Sequence, residues 1–305
     1  MQYLRTQLLS VAACLSLLGT TSRLPAESDS CACCDSSATC GATCCYRSAG
    51  WYVAQTENFR ACATDSETTA RQLAESAEKL RRQLREKWLG ESGEVADEAW
   101  HPKCEILLYP SQASYVAAAG RGSEHTVGSS LVNVEHGQIK SRRIDLAGGR
   151  SDFLSAALPH ELTHVVLKDR FLSTAIPRWA DEGAAILADT GAKQGRHRSD
   201  LDDAIRRHAT FAAANLVTMD DYPGPDRMGA FYGESASLTK FLVERGKPAR
   251  FIDFVELAAA KGYDAALRQC YGISSVIELD RQWRRYVSSP TVATSSDVSA
   301  VLAAR

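Results

Sequence analysis

Residues 160–164 read His-Glu-Leu-Thr-His in the middle of an apolar stretch with helical spacing. Leu154, Ala157 and Leu158 precede the motif and Val165, Val166 and Leu167 follow it, so the helix is expected inside the protein. Two imidazoles and a carboxylate on a buried helix are costly unless something binds them. Residues i and i+4 lie one turn apart on one face, so His160 and His164 can grip a single metal ion. Glu161 is offset by one residue, which lets its carboxylate reach a water in an open metal position. Pro159 fits the first turn of this helix, with a break just before it.

A hydrolytic zinc site uses three protein ligands and one open position. Glu182 follows His164 by 18 residues, within Pro177-Arg178-Trp179-Ala180-Asp181-Glu182-Gly183-Ala184-Ala185. Pro177 can open a second helix, and the connection is long enough to bring that helix back across the first. Gly183 and Ala184 present almost no side chain, so the two helices are expected to approach closely with Glu182 aimed at the metal.

The segments around these residues place the site in an α+β chain with no internal repeat. After Gly149 nearly every segment has helical spacing, with Gly or Pro near most junctions. Before it, Ser66 or Asp65 can cap a helix reaching about Leu89, with Leu73, Ala77, Leu80, Leu84 and Trp88 along one face. Cys104–Pro110 reads as a buried strand. His136-Gly137 reads as the turn of a hairpin whose strands end near Glu135 and run from Ile139 to Leu146. The expectation is a small mixed sheet half followed by a mostly helical half.

Composition narrows the function classes. Hydrophobic residues are 45% and charged residues 24% of 305, which excludes disorder along the whole length. Lys+Arg is 35 against Asp+Glu 37, net −2, so no nucleic-acid partner is expected. No apolar run reaches the ~20 residues of a stable membrane span.

Arg5 followed by the apolar Leu8–Leu18 reads as a secretory signal peptide over residues 1–26, with cleavage after Ser22 or Ala26. The expected location is therefore secreted or cell envelope, by bacterial-type export. Six of the ten cysteines, Cys31, Cys33, Cys34, Cys40, Cys44 and Cys45, crowd the segment 27–50. In an exported chain they read as a disulfide-stapled appendage rather than core, with about 15 possible pairings. A metal cluster and a pro-region role are the alternatives. Cys62 and Cys104 flank the first helix and are candidates to pair, while Cys270 has no obvious partner. Residues 288–305, rich in Ser, Thr, Ala and Val, read as a disordered tail.

His-Glu-x-x-His followed by Pro-x-Trp-x-x-Glu-Gly-x-Ala resembles the gluzincins, and more closely the bacterial peptidase MA-like domain of the thermolysin-like superfamily. The later segments YGESASLTKFLVERG, GYDAALRQCYGI and IELDRQWRRYV are similar to the helical half of that domain. The resemblance covers residues 51–287, and implies a zincin-like metallopeptidase fold. It implies Zn2+ held by His160, His164 and Glu182, with Glu161 as general base. Tyr232 sits where related aminopeptidases carry a tyrosine that stabilises the tetrahedral intermediate. Asp189, seven residues after Glu182 and nearly on its face of the helix, can orient a ligand histidine.

No Gly-x-Met-Glu-Asn-like segment lies upstream to anchor a free substrate N-terminus. The expected activity is therefore that of an exported zinc endopeptidase on peptide or protein substrates, with the strand Ile139–Leu146 as the one that holds an extended peptide. The rival reading is a non-catalytic envelope protein that binds peptides on the same fold. Oligomeric state is not legible in the sequence.

Overall fold

The computed structural model describes residues 43–289, apart from 92, 94–97, 121, 150 and 151. The segment expected to be a signal peptide, Cys31 to Cys40, and residues 290–305 of the expected tail lie outside the described residues. Six strands form one mixed sheet: β1 (Cys44–Ser48), β2 (Trp51–Gln55), β3 (Phe59–Ala63), β4 (Cys104–Tyr109), β5 (Gly128–Glu135) and β6 (Gln138–Ala147). Their order is β1-β2-β3-β4-β6-β5. The β3–β4 and β4–β6 pairs are parallel, and the other pairs are antiparallel. The helices of the first half are α1 (Glu67–Leu84) and α2 (Gln112–Ala119). The second half is helical: α3 (Leu158–Lys168), α4 (Arg178–Ile186), α5 (Gly191–Arg206), α6 (Ala213–Val217), α7 (Met228–Arg245), α8 (Pro248–Lys261), α9 (Tyr263–Tyr271) and α10 (Val276–Val287). This is the expected α+β architecture.

Local chemistry explains the boundaries. Ser66 caps α1 by accepting a 3.0 Å hydrogen bond from the Thr69 amide. The helix buries Ala70, Leu73, Ala74, Ala77 and Leu84, then loosens into a π-turn over Arg85–Leu89. The β5–β6 hairpin turns at His136, whose φ of 52° places it in the left-handed region, as a tight two-residue turn demands. A second π-turn, Phe153–Ala157, runs into α3 with Pro159 in its first turn, so the break expected before Pro159 is a widened turn.

The sheet separates two apolar clusters. On the larger side Phe59, Ala61, Ile106, Leu108 and Ile144 pack against α1 and α3. On the smaller side Trp51, Val53, Cys62, Leu107 and Tyr109 pack against Tyr115 of α2. This division corrects the expected Cys62–Cys104 pair. Cys104 lies opposite Phe59 and Cys62 opposite Leu107, and the two thiols belong to opposite faces, where both are free. The sheet also starts earlier than residue 51, because Cys44 and Cys45 already belong to β1.

Asp169, at the end of α3, ties that helix to the sheet. Its carboxylate accepts from Arg85 Nη1 at 2.7 Å, Trp100 Nε1 at 2.7 Å and Arg142 Nη2 at 2.9 Å. The Trp100 indole is approached by the Arg81 and Arg142 guanidinium groups at 4.7 and 4.5 Å.

The close helix approach expected at Gly183 is made to a different neighbour. A Cβ there would stand 2.6 Å from the Ser235 carbonyl oxygen, so glycine lets α4 lie against α7, while Asp181 and Glu182 of the same helix meet the α3 histidines. Other departures lie around α5. The chain leaves the helix after Ile186, and Thr190 starts a new one by capping Lys193. Asp189 is therefore in the turn between α4 and α5, not on a continuing helix.

Candidate metal centre

The π-turn and Pro159 set the start of α3 so that His160 and His164 stand one turn apart, with ring centroids 5.0 Å from each other. Pro177 leads into α4, which brings Glu182 to the same place. Glu182 Oε2 lies 3.7 Å from His160 Nε2. One ligand atom from each of His160, His164 and Glu182 lies within 4.8 Å of the other two. Imidazole, imidazole and carboxylate are the donors that a three-ligand site for zinc presents.

Each histidine has a carboxylate on its far side. His160 Nδ1 lies 3.2 Å from Asp189 Oδ2, and His164 Nδ1 lies 2.8 Å from Asp181 Oδ1. The first is a hydrogen bond and the second an ion-pair contact without hydrogen-bond geometry, and with a carboxylate at each Nδ1 it is Nε2 of each ring that would face a metal. Lys193 Nζ donates to Asp189 Oδ1 at 3.0 Å, and Gln194 Nε2 to the Asp189 carbonyl at 2.8 Å.

The electrostatics favour a cation. Burial disfavours a charged imidazole, yet Asp181, with Glu182 and Glu161, pushes His164 up to about 10. His160 is also raised, because Asp189 and Glu182 outweigh its burial. Burial alone would raise the Glu182 carboxyl, but the hydrogen bonds and charges of the two histidines hold it at about 2. Glu161, Asp181, Glu182 and Asp189 thus crowd two imidazoles and one lysine. A divalent cation suits both the donor set and the charge.

Glu161 points toward β5. Its Oε2 accepts from Ser130 Oγ at 3.0 Å. A Cβ on Gly128 would stand 2.9 Å from Glu161 Cγ and Oε1, so only glycine lets the strand pass this close to the carboxylate. β5 is the outermost strand beside α3, whereas β6 is paired on both sides by β4 and β5. The expected peptide-holding strand Ile139–Leu146 is therefore interior and offers no open edge. Among the described residues, the strand with an unpaired edge beside Glu161 is β5.

Tyr232 lies on α7 with its ring 5.7 Å from His197, 5.5 Å from Phe231 and 6.4 Å from Tyr222, centroid to centroid. Burial, with the nearby Glu182 and Glu161 charges, holds its phenol well above the ordinary range, so it is a hydrogen-bond donor at neutral pH.

Three participants are not apparent from sequence reasoning alone. Tyr222 donates a 2.5 Å hydrogen bond to Glu182 Oε1. Asp181 faces His164, and Ser130 holds Glu161. For Asp181 a signal existed, since it precedes Glu182 directly on the same helix. Nothing in the sequence singles out Ser130 or Tyr222, which reach the site only through tertiary packing.

A family model described as the peptidase MA superfamily matches residues 134–289, just over half of the chain. The match includes both histidines, Glu161, Glu182, Asp181, Asp189, Tyr222 and Tyr232. No curated protein gives a significant match.

Proposed function

Because the chain belongs to the peptidase MA superfamily, whose members are typically metal-dependent peptidases, we propose that it is an exported zinc endopeptidase. The observation that carries this reading is the convergence of His160, His164 and Glu182 within 4.8 Å, beside the carboxylate of Glu161. His160, His164 and Glu182 are the residues that would hold the metal. Zinc, when bound, polarises the scissile carbonyl and brings the pKa of a water to roughly 7.

The remaining chemistry belongs to the side chains. Glu161 accepts a proton from the attacking water and delivers it to the leaving amine, so that the amide and water end as a carboxylate and an amine. Ser130 keeps the Glu161 carboxylate on the β5 side of the site. Tyr232 donates its phenolic hydrogen to the oxygen that gains charge as the carbonyl carbon becomes tetrahedral. Asp189 and Asp181 hold the two imidazoles with Nε2 inward.

An extended peptide binds along the outer edge of β5 by main-chain hydrogen bonds, and the lack of a Gly-x-Met-Glu-Asn-like segment supports cleavage at an internal bond. The signal-like N-terminus and crowded cysteines motivate the export assignment.

Elemental analysis of the purified mature protein tests the site. One zinc per chain is expected, with stoichiometric binding abolished in His164→Ala. Full retention of zinc in that variant would contradict the assignment.

A further inference from the structure

Glu182 divides its two oxygens between different neighbours. Oε2 lies 3.7 Å from His160 Nε2, on the side where the ligand atoms converge. Oε1 accepts the 2.5 Å hydrogen bond from Tyr222. Tyr222 comes from the irregular segment Asp220-Asp221-Tyr222-Pro223-Gly224 between α6 and α7. The residue is 42% exposed, so its phenol reaches from the surface to a buried carboxylate.

The ring is held in that position from several sides. The Arg178 guanidinium stacks 4.5 Å from the ring centroid, and Phe231 meets the ring edge-on at 5.6 Å. Arg178 Nε also donates to the Asp220 carbonyl at 2.8 Å. One side chain at the start of α4 thus fastens the Tyr222 segment to the helix that carries Glu182.

A carboxylate free to rotate can offer a metal one oxygen or two. A hydrogen bond to an ionised carboxylate is among the stronger ones, and occupying Oε1 leaves Oε2 to face the histidines. We propose that Tyr222 is a positioning residue for the metal centre, its hydroxyl fixing Glu182 as a one-oxygen ligand while Arg178 holds the ring. This rests on the reading of His160, His164 and Glu182 as the zinc ligands. Tyr222 differs in role from Tyr232, because it acts on the ligand before any substrate is present.

The test compares the parent protein with Tyr222→Phe and Tyr222→Leu. Zinc affinity is measured by competition with a chromophoric chelator, and the visible spectrum of the Co2+-substituted protein is recorded. Tyr222→Phe should bind zinc about 10–100-fold more weakly, and its Co2+ spectrum should change as the carboxylate turns. Tyr222→Leu should lose about as much, since the hydroxyl is already gone in the Phe variant. Parent-like affinity and spectrum in Tyr222→Phe overturn the proposal, and a loss confined to Tyr222→Leu would assign the residue to packing alone. A parent protein that takes up no zinc overturns the zinc reading itself, and with it this proposal.

Discussion

Asp181 Oδ1 stands 2.8 Å from His164 Nδ1, on the same helix as Glu182 but one residue earlier. A single turn of α4 therefore supplies both a carboxylate to the site and the acid that faces one of its imidazoles. Asp181→Asn keeps the shape and removes the charge. Zinc affinity should fall about 10–100-fold, with the fold intact by circular dichroism. Unchanged affinity in a chelator competition would show that Asp181 does not orient His164.

Gly183 and Gly195 make a matched pair for testing how α4 is seated. A Cβ at Gly183 would press on the Ser235 carbonyl, while one at Gly195 meets nothing within 4 Å. Gly183→Ala should destabilise the protein by about 1–3 kcal/mol through overpacking. Gly195→Ala, on the exposed face of α5, should stabilise it by about 0.5–1 kcal/mol. Denaturant midpoints measure both, and equal effects of the same sign would refute the close approach of α4 to α7.

The pH dependence of stability should carry a signature of Glu234. This side chain is fully buried on α7, and both carboxylate oxygens accept from the Phe211 amide, at 3.0 and 3.1 Å. Burial raises its carboxyl to about 7, against the lowering effects of that hydrogen bond, Arg284 and Arg227. The folded value lies above the ordinary one near 4.5. The contribution to stability is therefore complete below about pH 4.5 and is lost as pH rises through about 7. Glu234→Gln mimics the protonated acid, so it should flatten the melting-temperature profile across that window and be the more stable protein above it. Parallel profiles for the two proteins would count against this account.

Much of the site was legible because helical spacing is a local property. His160 and His164 share a face by their i,i+4 separation, and Pro177 marks where the helix bearing Glu182 begins. Asp189 could be named as the partner of a ligand histidine, which the structure shows to be His160, although the helix bearing Glu182 stops at Ile186. The reason is Thr190, whose side chain caps a new helix and outweighs continuation of the old one. Strands β1 to β3 do not stand out in the sequence, because each is a run of only five residues, too short for an alternation to be read. The edge role of β5 depends on strand order, which a hairpin pattern does not reveal: either strand of 128–147 can be outermost. Tyr222 and Ser130 meet their partners across 40 and 31 residues of chain, a distance over which no periodicity operates.

Turnover by Glu161→Gln measures the central claim most directly. The variant is compared with the parent on a peptide library, with zinc content determined in the same samples. Gln keeps the shape of the side chain but cannot take a proton from water. The account predicts full zinc content and a loss of cleavage of about a hundredfold or more. Cleavage at the parental rate by the zinc-loaded variant would contradict it.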